Sequence, residues 1–153
     1  MPTSVHNFRD FELRLAAAQT LARLSRVYGD AVPWDAIGAG FWFKGQRIRL
    51  ASRPVGVFKP AEMDRVLSIK TVVPKAGRQA QYSDQMADNA KHGMWVYDMR
   101  GGNPSHTDNQ WLKTAWEEHL PLIYLRGLAP AVYLPLFPVH VTDWDASAGQ
   151  VRL

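Results

Sequence analysis

A chain of 153 residues, 46% hydrophobic and 21% charged, has the size and composition of one globular domain, which excludes an intrinsically disordered chain. The absence of cysteine excludes disulfides, a thiol nucleophile and thiolate zinc sites, and no apolar run approaches the roughly 20 residues of a membrane-spanning helix. The formal charge of +4 is unevenly spread: between Lys44 and Lys91 ten basic residues stand against four acidic ones, while the rest of the chain is slightly acidic.

The N-terminus lacks the basic start, apolar middle and small-residue end of a signal peptide, so a cytosolic protein is expected. From Val5 to Tyr28 the residues are continuous helix formers, with Phe8, Phe11 and Leu15 on one apolar stripe and Leu13, Leu21, Leu24 and Tyr28 on an adjoining one. Asp10 and Glu12 near the start, Arg23 and Arg26 near the end, and Gly29 as a stop agree with a helix over this span. A short segment at residues 33–37 follows, and then Phe41-Trp42-Phe43 and Arg47-Ile48-Arg49-Leu50 face each other across Lys44-Gly45-Gln46 as a hairpin.

Pro54 and Pro60 bracket a short apolar strand, Val55-Gly56-Val57-Phe58-Lys59, of a kind that can line a site. Val66–Val73 is rich in β-branched residues and reads as a strand, with a polar loop over residues 74–79 after it. Met94–Met99 is another strand, with Trp95, Tyr97 and Met99 on one face, and the loop 100–104 ends it. Thr107 or Asp108 caps a second helix that runs through Trp111, Leu112, Ala115 and Trp116 to His119. Leu122–Leu125, Val132–Phe137 and Val139–Trp144 form an apolar strand series punctuated by Gly127 and three prolines, and Val151–Leu153 is one more strand. The expected class is α+β: a curved, mostly antiparallel sheet or open barrel supported by two helices, in one domain over residues 1–153.

Several chemistries are absent from the pattern. Gly38-Ala39-Gly40 leads into aromatics and Arg100-Gly101-Gly102 lacks a following lysine and hydroxyl, so neither forms a nucleotide-binding loop, and no cofactor is expected. No serine has the flanking glycines of a nucleophile elbow. His92, His106 and Asp98 could be assembled into a metal-dependent nuclease, but the histidines lie in apparent loops rather than on the hairpin and helix such a site needs. Trp34, Trp42, Trp111, Trp116 and Trp144 read as core or interface residues.

What remains is the stretch from Gln81 to Gly102, where Tyr82, Trp95 and Tyr97 supply flat faces and Asp84, Asp88 and Asp98 supply hydrogen-bond acceptors within a basic neighbourhood. Rings that stack and cations that meet phosphates are the parts of a site for an unstacked nucleobase, with a solvated basic face as the plainer alternative.

Taken in order, Gly56-Val57-Phe58-Lys59-Pro60 with Leu67-Ser68-Ile69, Tyr82-Ser83-Asp84, Trp95-Val96-Tyr97 with Arg100-Gly101, Asp108-Asn109, Pro121-Leu122-Ile123-Tyr124 and Tyr133-Leu134-Pro135 resemble the SET-and-RING-associated (SRA) domain. They are closest to the SRA-like reader domains at the N-terminus of bacterial modification-dependent HNH restriction endonucleases. The resemblance implies a PUA-like barrel in the bacterial cytoplasm that binds duplex DNA and flips a 5-methyl or 5-hydroxymethyl cytosine into an aromatic pocket. By position, Tyr82 would stack on one face of the base and Tyr97, or Trp95 beside it, on the other. Asp84 would accept a hydrogen bond from the cytosine amino group, with Phe58 at the back of the pocket. Arg53, Lys59, Lys75, Arg78, Lys91 and Arg100 would meet the DNA backbone. The resemblance further implies that this chain is a reader and not an enzyme, that the nuclease half lies in a longer parent protein, and that a homodimer could form through that half. A PUA or ASCH-type RNA-binding module is the alternative within the binding class.

Overall fold

The computed structural model describes residues 5–73, 95–99 and 103–153, with side chains from Phe8 onward. Helix α1 spans Val5–Tyr28, as its composition predicts, and Gly29 ends it with φ of +70° and an N–H donated to the Ser25 carbonyl at 2.8 Å. The buried face, however, is Leu13, Ala17 and Leu21, flanked by Asp10, Arg14 and Thr20. The expected stripe of Phe8, Phe11 and Leu15 is exposed, at 67%, 63% and 46%. Polar residues displace it because they have backbone partners. The Asp10 carboxylate accepts from the Asp64 and Arg65 N–H groups at 3.0 Å, and Arg14 Nη1 donates to the Pro121 carbonyl at 2.9 Å. Hydrophobicity alone does not show such bonds.

After β1 (Val32–Pro33) and a single-turn helix α2 (Trp34–Gly38), the hairpin forms from β2 (Phe41–Phe43) and β3 (Gln46–Ile48). Its turn is shorter than expected: Gln46 pairs with Phe43, leaving Lys44 and Gly45 as a two-residue turn with φ of 50° and 80°. Two successive positive φ angles suit the twist of a tight hairpin, and glycine at the second removes part of the steric cost. Phe41 and Phe43 point inward, whereas Trp42 is 74% exposed and is not a core residue.

The main sheet has five strands in the order β1, β8 (Val132–Val139), β7 (Leu122–Ala129), β5 (Ser68–Thr71), β4 (Val57–Phe58). All neighbours are antiparallel except β5 and β7, which are parallel. β7 runs past its expected end at Leu125 because Gly127 sits within the ladder, at a register shift before Ala129. β8 carries Pro135 opposite Leu125, which a strand tolerates where its other edge is free, and β1 covers only Val132 and Tyr133. A second, antiparallel sheet is ordered β6 (Val96–Asp98), β10 (Gln150–Arg152), β9 (Asp143–Asp145). The expected strand over Val139–Trp144 is thus divided between β8 and β9. Helix α3 (Thr107–Glu118) is capped by His106, one residue ahead of the expected caps: its Nδ1 accepts from the Asp108 N–H at 3.2 Å. His119 closes the other end in the left-handed region, with φ of 54°.

Period-2 alternation sends β5 and β7 side chains to two cores. Ile123 and Leu125 join α1, α2 and the hairpin on one face, while Ile69, Leu122 and Tyr124 join α3 and the three-stranded sheet on the other. The class is α+β; among the described residues the strands form open sheets and no closed barrel. No helix among them is long and apolar enough to cross a membrane.

Candidate functional site

The chain already runs alongside β5 just before β4, since Lys70 donates its backbone N–H to the Gly56 carbonyl at 2.8 Å. Residues 53–56 form one wall of a cavity, Lys70, Thr71 and Val72 its floor, and Val96, Tyr97 and Asp98 of β6 the facing wall. Its volume is about 330 Å³, at the small end of the roughly 300 to 1,000 Å³ usual for small-molecule sites.

The phenol of Tyr97 comes to this cavity because residue 56 has no side chain. A Cβ there would run into Tyr97 Oη and lie 2.9 Å from the Lys70 carbonyl oxygen. The depth of Tyr97 is set from the other side of β6, where Tyr97 pairs with Val151 and the Leu153 N–H donates to the Trp95 carbonyl at 2.8 Å. Trp95 is partly buried against the core and meets Tyr124 in a T-shaped pair, 5.4 Å between centroids and 70° between planes. Trp95 Nε1 is buried without a hydrogen-bond partner among the described residues. Tyr124 Oη lies 3.1 Å from Thr71 Oγ1, so a hydroxyl pair connects that ring to the cavity floor. The exposed Asp98 carboxylate accepts from Gln150 Nε2 at 3.4 Å and offers an acceptor at the rim.

Lys70 shapes the first wall from behind. Lys70 is a lining residue, and its Nζ donates to the Arg53 carbonyl at 2.8 Å. The ammonium lies 5.0 Å from the Trp34 ring centroid and 6.0 Å from that of Tyr133, and those rings meet edge-on at 6.2 Å. Burial, and secondarily the nearby Arg53 charge, lowers the Lys70 pKa below its ordinary value. Burial raises that of the Tyr133 phenol, partly offset by the same arginine.

Of the residues expected at the site, Tyr97 lines the cavity and Arg53 stands on its wall. Trp95 is not a lining residue, and neither is Phe58; Val55 and Gly56, just before it in the chain, line the wall. Lys59 is held internally: Nζ donates to the Met63 carbonyl at 2.9 Å and sits 5.6 Å from the Trp111 ring centroid. Tyr82, Asp84, Lys75, Arg78, Lys91 and Arg100 lie outside the described residues. His92 does as well, while His106 serves as the α3 cap, and among the described residues no three acidic or histidine side chains gather as metal ligands. Lys70, Thr71 and Val72 are the lining residues that sequence reasoning did not select, whereas Asp98 and the strand holding Gly56 were among those it did. A lysine inside the β-branched run Val66–Val73 was the available signal for Lys70, since such a strand has little exposed surface.

No protein-family model, no curated protein and no solved structure matches this chain.

Proposed function

We propose that this domain binds duplex DNA and recognises a modified cytosine, 5-methyl or 5-hydroxymethyl, by flipping the base into the cavity beside Tyr97. On this reading the strands are an open form of the PUA-like barrel. The domain cuts nothing itself and directs an HNH nuclease in a longer parent protein to modified DNA.

The observation that carries the reading is where the cavity lies in the chain. Val72 on its floor and Val96 on its wall each stand one residue from Val73 and Trp95, the described residues that flank the stretch containing Tyr82 and Asp84. Tyr97 offers one ring, Arg53 a cation for an adjacent phosphate, and the volume suits a planar base with a small substituent. Flipping costs a few kcal/mol of lost pairing and stacking. Ring stacking at about 1 to 3 kcal/mol per base, together with phosphate contacts, is sufficient to offset it. Asp84 then reads the amino edge, an acceptor facing a donor that thymine lacks.

Variant binding at one fixed salt concentration tests these roles. Asp84→Ala is expected to abolish the preference for modified over unmodified duplex while keeping most nonspecific affinity. Lys75→Ala with Arg78→Ala is expected to weaken both duplexes together. Preference retained in Asp84→Ala would remove the edge-reading assignment.

A further inference from the structure

We infer that a second hollow, back to back with the cavity, holds the DNA backbone beside the flipped nucleotide, and that Trp42 extends this track; the inference rests on the base-pocket reading above. The hollow has a volume of about 520 Å³ and shares Arg53 and Pro54 with the first cavity. Trp34 and Arg49 also line it, so a chain leaving the cavity over Arg53 meets a second exposed guanidinium at once.

Two features fit an anionic occupant. Gly38 and Ala39 are lining residues, and a bare carbonyl there would repel phosphate, but Arg47 occupies both carbonyls: Nη2 donates to Gly38 at 2.7 Å and Nε to Ala39 at 2.8 Å. The C-terminal end of α2 therefore carries a cation. Beneath Trp34 lies the Lys70 ammonium, which adds positive charge from within. Asp35 is the acid among the lining residues, against Arg49 and Arg53.

The track continues along the hairpin. Trp42 pairs with Arg47 across β2 and β3, which puts both on one face, and its ring is 74% exposed. A solvated basic face accounts for the arginines but not for a large bare ring among them. Cations alternating with an exposed ring are what a strand offers contacts to, phosphates to the charges and a sugar or base face to the indole.

Arg49 and Trp42 are both exposed, so their removal leaves the cores intact, and thermal melting confirms the fold of each variant. Arg49→Ala is expected to weaken modified and unmodified duplex by the same factor, about three- to tenfold near 0.1 M salt, and to reduce the salt slope by about 1. Trp42→Ala is expected to weaken both by about fivefold or more with the slope unchanged, because stacking releases no counterions. If wild type prefers modified duplex while both variants keep wild-type affinity and slope, the track is wrong and the base pocket stands. If wild type shows no preference but Arg49→Ala still lowers affinity and slope, the track stands and the base pocket is wrong.

Discussion

Gly56 and Lys70 fix the shape of the cavity from its two sides. Gly56 gives Tyr97 room, and the contact is tight enough that a single methyl must displace the phenol or the strand. Gly56→Ala is therefore expected to lower stability by about 1 to 3 kcal/mol through overpacking, and to remove modified-base preference; an unchanged melting temperature would show that Tyr97 is not held there. Lys70 holds the Arg53 carbonyl while buried against two rings. Its lowered pKa means that the folded state binds fewer protons than the unfolded chain between that pKa and the ordinary value of 10.5. The stability attributable to Lys70 thus rises with pH through that window, and below it the buried charge is a constant cost. Tyr133, with its raised pKa, acts in the opposite direction above its ordinary value of 10.0, so the comparison must be a difference. Wild type is expected to gain on Lys70→Met as pH climbs from neutral toward 10.5, measured by denaturant unfolding; a constant gap would mean that the ammonium is not desolvated.

The elements separate into those that a sequence shows and those that it conceals. The span of α1, the hairpin and the strand after Pro54 were legible because each depends on local signals: uninterrupted helix formers, a glycine turn, paired prolines. The buried face of α1 was not legible, because Asp10 and Arg14 are inward through bonds to residues about 50 and 107 positions away. Asp10→Ala would remove the carboxylate that accepts from the Asp64 and Arg65 N–H groups and stands beside Arg14, at an expected cost of about 2 to 3 kcal/mol. The exposed Arg65–Glu118 pair, at 2.9 Å, spans the same region but is worth at most about 1 kcal/mol. Chemical denaturation of Asp10→Ala and Glu118→Ala side by side should reproduce that order, and equal losses would contradict it. At the site, the shared face of Trp95 and Tyr97 was readable from alternation. Their different depths were not, since depth follows from Gly56 and the β10 pairing.

At the scale of the whole molecule, two cores on opposite faces of one sheet make β5 the common element. It sends Ile69 and Thr71 toward the cavity side, and Ser68 and Lys70 toward Leu50, Trp34 and Tyr133, so both hollows adjoin it or the Arg53–Pro54 segment beside it. The charge distribution follows the same geography, with Arg47, Arg49 and Arg53 between the hairpin and the cavity. A basic track ending at an aromatic cavity is the arrangement from which base recognition is proposed. The most direct test is the ratio of dissociation constants for three duplexes of one sequence, carrying cytosine, 5-methylcytosine or 5-hydroxymethylcytosine at a single position, at one salt concentration. At least one modified duplex is expected to bind about tenfold or more tightly than the unmodified one, a difference of about 1.4 kcal/mol. Equal constants for all three would contradict modified-base reading.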